Sequence, residues 1–239
     1  MATPKVLRGA VGVPCREQGR WTTFWECVQR LRVPEGVQLV DPIVRYDNSV
    51  ARARNKIAVE AMNQDLDFVF WLDDDMLFGR DVLARLLAKP EDIIIGLTLS
   101  RCLIDGNSFR PIWSDTEMEK TEWIPVSEIV TGPNGLMPLL SGTGGGVLTR
   151  MGIFKLVPAP WWTIGQVDPE MFWEDIVFYQ KMRDAGVKVW GDPSVRFGHY
   201  QPTVIWPNQQ ADGSWSTVLA HGFEGFMEMP WATTEKVGV

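Results

Sequence analysis

The hydrophobic pattern of the first hundred residues switches repeatedly between two periods. Lys5 to Val13 is rich in β-formers and runs up to Pro14, which predicts a strand. Trp21 to Leu31 has helical spacing and is stopped by Pro34. Val37 to Val44 reads as a strand. Asp47 or Asn48 can then cap a helix whose apolar positions Val50, Ala53, Ile57 and Ala61 recur at helical spacing. Phe68 to Leu72 is short and wholly apolar, as a buried parallel strand should be. Arg80 to Ala88 follows as a helix and Ile93 to Leu99 as a strand. Such alternation predicts an α/β fold with a mostly parallel central sheet flanked by helices on both faces.

The pattern changes beyond residue 100. Residues 101–140 are rich in Pro, Gly, Trp and turn formers and predict short strands and loops beside the main sheet. Ser141 to Thr149 (SGTGGGVLT) reads as a glycine-rich turn entering a strand. Trp173 to Ala185 reads as a helix ended by Gly186, and Val187 to Trp190 as a strand. From Gln201 onward no period is clear, and loops with a short helix covering a cleft are expected. Nothing repeats internally, so residues 1–239 are expected to form a single domain.

Composition narrows the class. The chain has 239 residues, of which 45% are hydrophobic and 22% charged, an ordinary globular balance long enough to bury a full core. Cys15, Cys27 and Cys102 are an odd count without a CxxC pair, which argues against a zinc knuckle or a disulfide framework. The N-terminal MATPKVLRGAVGVPC lacks the apolar core and cleavage site of a signal peptide, and no apolar run approaches the length of a spanning helix. A cytoplasmic protein without a transmembrane segment is expected. The net charge of -7 disfavours a broad grip on nucleic acid but leaves room for a local basic groove. Most of the twelve tryptophans are expected to pack in the core or rim, with a few free to stack on rings.

The feature richest in chemistry is Asp73-Asp74-Asp75, directly after the apolar strand. Open α/β sheets bind ligands beyond the carboxyl ends of their strands. Three adjacent carboxylates repel unless a cation or hydrogen bonds compensate, and Mg²⁺ or Mn²⁺ takes such oxygen ligands together with substrate phosphates. In an extended segment Asp73 and Asp75 would point one way and Asp74 the other, so Asp73 and Asp75 are the candidate metal ligands. A solvated acidic turn capping the next helix is the structural alternative.

Several ordered motifs together resemble the GT-A glycosyltransferases, particularly the family-2-like enzymes of bacteria and phages. They are ARARN (51–55), WLDDDM (71–76), SGTGGGVLTR (141–150) and WEDIVFYQKMRDAG (173–186), followed by Asp192 and His199. The resemblance spans about Val11 to His199. It implies a nucleoside diphosphate sugar donor, with uridine as the family default, and a Mn²⁺ or Mg²⁺ cofactor. Residues 1–100 would then be the donor half, 101–200 the acceptor and catalytic half, and 201–239 a cleft cover. His199 is implied as a third metal ligand beside Asp73 and Asp75. Arg54 is implied as the donor contact, with Arg52, Asn55, Asp73 and Asp74 also on the donor side. Asp175 is implied as a general base in an inverting transfer, with Glu174 in support. Gly144, Gly145 and Trp173 are placed on the acceptor side.

Each assignment has a plainer alternative. Arg52 and Arg54 can be surface arginines, Glu174 and Asp175 can simply favour a helix start, His199 can be a buried histidine, and the glycines can form a tight turn. Trp161 and Trp162 can close the rim. The acceptor stays open among glycan, protein, lipid and a hydroxymethylated DNA base. A carboxylate–metal nuclease or phosphotransferase would want further carboxylates and a lysine on nearby strands, which are not found in order. A carbohydrate-binding module would suit the tryptophans but leave the Asp triplet unexplained.

Overall fold

In a computed structural model the chain is described over residues 5–15, 22–100, 110–115, 124–167, 170–172, 174–200, 204–220 and 226–230. Cys102 and Trp173 therefore lie outside the described residues. As far as residue 98 the chain contains β1 (Leu7–Cys15), α1 (Thr22–Gln29), β2 (Val37–Leu39), β3 (Ile43–Tyr46), α2 (Val50–Asn63), β4 (Phe68–Trp71), β5 (Met76–Phe78), α3 (Val82–Leu87) and β6 (Ile93–Thr98). It is followed by β7 (Trp113–Ser114), β8 (Met137–Leu139), β9 (Ser141–Gly142), β10 (Val147–Arg150), β11 (Gly165–Val167), β12 (Glu170–Phe172), α4 (Glu174–Asp184) and β13 (Val189–Tyr200). The last described elements are β14 (Val204–Gln209), β15 (Trp215–Ala220) and β16 (Phe226–Pro230).

Among the described residues the main sheet has twelve strands, ordered β16-β15-β14-β13-β6-β10-β4-β1-β2, with β3 beside β1 and β5 and β8 beside β13. Strand β1 is parallel to β2, β3 and β4, and β13 is parallel to β6. Strand β10 runs between β4 and β6 in the opposite direction. The fold is thus a mixed α/β sheet, mostly parallel at its centre and flanked by helices, as the alternation predicts.

Period-two geometry explains why the central strands are apolar throughout. Val69 and Trp71 of β4 and Ile93 and Ile95 of β6 pack on one face, against Ile57, Ala58 and Ala61 of α2 and Phe178 of α4. Phe68 and Phe70 of β4 and Ile94 of β6 pack on the other face, against Phe24 of α1 and Leu83 and Leu86 of α3. Both faces are covered, so neither needs polar alternation.

Three expectations are corrected. Val37 to Val44 is not one strand but β2 and β3, parted at residues 40–42, where Pro42 cannot donate to a ladder. Strand β1 passes through Pro14 to Cys15; its pairing with β4 ends at Gly12, so on that side Pro14 meets no ladder acceptor. The stretch from Gln201 forms no helix among its described residues. It extends the sheet as an antiparallel β14-β15-β16 meander. Among the described residues no helix is long and apolar enough to cross a membrane.

Candidate active site

The carboxyl ends of β1, β4 and β6 lie at one edge of the sheet, where the antiparallel β10 begins. Asp73, Asp74 and Asp75 leave β4 there. They are not extended: the amide of Met76 donates to the Asp73 carbonyl at 3.1 Å, closing a turn that sends the chain back as β5. The alternation argument for their directions therefore does not apply. The turn is tied to β13 by the Tyr200 amide, which donates to the Asp75 carbonyl at 2.6 Å. Asp75 is buried, with 3% of its surface exposed.

Arg54 is the hub. It lies on the buried side of α2, a helix whose N-cap is Ser49 rather than Asp47 or Asn48. Its Nη2 donates to Asp73 Oδ1 and its Nη1 to Glu174 Oε1, both at 2.8 Å. Burial works against the guanidinium charge, but the carboxylates of Asp73, Glu174 and Asp175 outweigh it and hold its pKa above the usual arginine value. The resemblance places Arg54 against donor phosphate. Here both of its η nitrogens are engaged by carboxylates, and it joins the acidic turn to the start of α4.

The glycines make room for this arrangement. A Cβ at Gly144 would sit 2.3 Å from the Arg54 guanidinium, and one at Gly145 would sit 2.6 Å from Asp73 Oδ2. Gly146 has a φ of 71°, which favours glycine. Tyr179, one helical turn after Asp175, donates its hydroxyl to the Thr143 carbonyl at 2.7 Å and pins α4 to this loop. The sequence reading missed Tyr179; its i+4 spacing from Asp175 is the signal that places it on the same face.

Asp175 opens α4 and accepts the Ile176 amide at 2.9 Å. Burial pushes its carboxyl up to about 7, Glu174 and Asp73 adding to the shift while Arg54 and the Ile176 amide oppose it. Such a carboxylate changes charge near neutral pH, as proton-transfer groups do.

His199 is buried on β13, opposite Met76 of β5. Its Nδ1 lies 2.6 Å from the Leu99 carbonyl, a contact that requires the proton on Nδ1 and, in the neutral ring, leaves Nε2 as the acceptor nitrogen. Carboxylates of Asp73 and Asp75 with a neutral imidazole are a donor set suited to Mg²⁺ or Mn²⁺. Among the described residues no group of three such side chains forms a ready-made cage. Ions of this kind are ordinarily completed by substrate phosphate and water.

Other expected site residues take plainer places. Arg52 is exposed and bonds Asp47 through Nε at 2.9 Å. Asn55 spends its amide on backbone groups: its Nδ2 donates to the carbonyls of Ala51 and Trp162, and its Oδ1 accepts the amides of Trp161 and Trp162. Asp74 bonds the Cys15 thiol at the end of β1; burial first, then the Asp74 carboxylate, push that thiol up to about 12. Trp161 and Trp162 are core residues, Trp162 stacking on Phe178 with centroids 4.3 Å apart. Asp192 bonds the amide and hydroxyl of Ser194 and shapes a bulge in β13.

No protein-family model matches the sequence, and no curated protein matches it significantly. Solved structures do match. The crystal structure of A197 from STIV is similar over 87% of this chain and 93% of that chain, at 14% identity and a TM-score of 0.53. The crystal structure of S. aureus TarS 1-349 in complex with UDP-GlcNAc aligns over 77% of this chain and 56% of that one, at 13% identity and a TM-score of 0.45. The likeness to A197 shows a shared fold and nothing further; the likeness to TarS is too slight to argue from.

Proposed function

We propose that this chain is a metal-dependent glycosyltransferase moving a sugar from a nucleoside diphosphate donor to an acceptor hydroxyl with inversion. The observation that carries this reading is the Arg54 bridge, which locks an acidic turn at a strand end to a helix start bearing a carboxyl with a pKa near 7. The first part suits a diphosphate with its cation, and the second suits proton removal from a hydroxyl. The ordered motifs that resemble GT-A enzymes fall on these same elements.

Asp73, Asp75 and His199 do not form a cage by themselves and would hold Mn²⁺ or Mg²⁺ only together with the donor's phosphates; the bound ion would supply positive charge against the departing diphosphate. Asp175 takes the proton from the acceptor hydroxyl. The acceptor oxygen bonds to the anomeric carbon while the bond from that carbon to the diphosphate oxygen breaks, its electron pair leaving on the diphosphate. Arg54 keeps Asp73 and Glu174 at fixed separation, so base and leaving group stay aligned across the reacting carbon.

The test is a thermal-shift panel of nucleoside diphosphates and their sugars, with Mn²⁺ and with chelator. A ligand at a hundred times its Kd adds about 2.7 kcal/mol, which for a chain this size raises Tm by about 5–11 °C. A Mn²⁺-dependent shift is expected, lost in Asp75→Ala and kept in Asp175→Ala, which loses transfer. If no nucleotide–metal pair shifts Tm, or if Asp175→Ala transfers sugar normally, the reading fails.

A further inference from the structure

A second cavity, of about 630 Å³, lies between the start of α3, the loop at residues 129–135 and the β14-β15 hairpin, and its lining shares no residue with the carboxylate centre. Its size is that of a small-molecule site. The bulge of β13 delivers Arg196 to it: the pairing with β6 jumps from Asp192–Gly96 to Arg196–Leu97, so residues 193–195 loop out of the ladder. Bulges of this kind re-aim side chains. Pro193, Ser194 and Arg196 all line the cavity as a result.

Arg196 lies over the Trp215 ring, with its Cζ 5.0 Å from the centroid. One Nη donates to Gln209 at 3.2 Å, while its Nε is buried and has no hydrogen-bond partner. The second guanidinium is that of Arg85 on α3, which has Asp81 only at 3.8 Å, in an exposed pair. Arg196 is held below the usual arginine value, by burial first and then by the Arg85 charge. Two like charges thus face a space to which the lining contributes a single carboxylate, Asp81.

We propose that Arg85 and Arg196, with Trp215 as a wall, form a second binding site for a small ligand bearing a phosphate monoester. A phosphate dianion offers oxygens to two guanidinium forks at once and relieves their repulsion. The cavity has room for an organic group beyond the phosphate. An extended polyanion would want a continuous basic track, whereas this chain carries a net charge of -7.

The experiment titrates the full chain with inorganic phosphate and with glycerol 3-phosphate. EDTA is present at constant ionic strength, and heat and the arginine Nε–H resonances are followed. Saturable binding is expected for glycerol 3-phosphate, with a Kd raised at least tenfold in Arg85→Gln and in Arg196→Gln. Arg85→Gln leaves the Trp215 stack in place, so a folding defect in Arg196→Gln does not decide the outcome. Non-saturable binding, or binding indifferent to both substitutions, overturns the proposal. So does tighter, arginine-dependent binding of a single-stranded oligonucleotide. The chelator removes the metal needed at the carboxylate centre, so this result is independent of the transferase reading.

Discussion

Replacing Arg54 with Met deletes the guanidinium that Asp73 and Glu174 share, while keeping most of the side-chain volume. Each bond from Arg54 is a charge-assisted contact of 2.8 Å, and the arginine side chain is only 3% exposed. Removing one partner of a buried ion pair costs about 3–5 kcal/mol. Asp73 and Glu174 keep 25% and 16% of their side-chain surface exposed, so water recovers part of their hydration. The lower end, about 3 kcal/mol, is therefore expected, which lowers Tm by about 6–12 °C. Asp175 also loses the positive charge that opposes its upward shift, so the midpoint of its titration moves above its present value near 7. The assays are urea and thermal unfolding for the first effect and the pH profile of transfer for the second. Arg54→Lys keeps a charge but loses the fork and should fall between. Arg54→Met with Glu174→Gln should recover part of the stability, because one stranded carboxylate is gone. A Tm loss under about 2 °C, or a pH midpoint that stays put, would refute the account of Arg54 as hub.

Other expectations follow from the same contacts. Transfer should rise with pH through about 7 as Asp175 loses its proton. Stability should run the other way. The folded carboxyl holds its proton above the pKa of the unfolded one, so stability falls as pH climbs from the ordinary carboxyl value to about 7. Asp175→Asn should flatten that slope in thermal melts at pH 5 and pH 8. Gly144→Ala and Gly145→Ala should impair transfer, since the added Cβ meets the Arg54 guanidinium and Asp73 Oδ2 at 2.3 and 2.6 Å; activity equal to wild type in both would remove the steric argument. Asn55→Ala strands the amides of Trp161 and Trp162 and should lower stability by roughly 1–3 kcal/mol per buried group left unpaired, measured by urea unfolding with donor binding as control.

Legibility followed the range of the physical signal. The central strands were readable because burial on both faces writes an uninterrupted apolar run, as in Phe68 to Trp71. The position of the acidic turn was readable because it follows such a run at the edge where α/β sheets bind ligands. Its shape was not, since the Met76 amide bond that closes it leaves no mark on composition. The β14-β15 hairpin did leave one. Asp212-Gly213 stands between two runs of strand formers, and Gly213 takes a φ of 84°. The lack of a longer period in that stretch hid a signal only a few residues wide.

Arg54 shows how a charge inside an apolar stripe should be weighed. It stands four residues after Val50 and three before Ile57, on the same helical face as those apolar positions. A guanidinium on that face must find carboxylates or expel itself from the core, because an unpaired buried charge costs several kcal/mol. The sequence offers carboxylates in two places, the end of β4 and the start of α4, and Arg54 bonds both. Its two η nitrogens bridge these segments at 2.8 Å each. Its place on that face accounts for its role as a strut between the two segments. It follows that the acidic turn and the start of α4 are held as one unit, so under the proposed mechanism damage at Arg54 should reach donor binding and proton removal together.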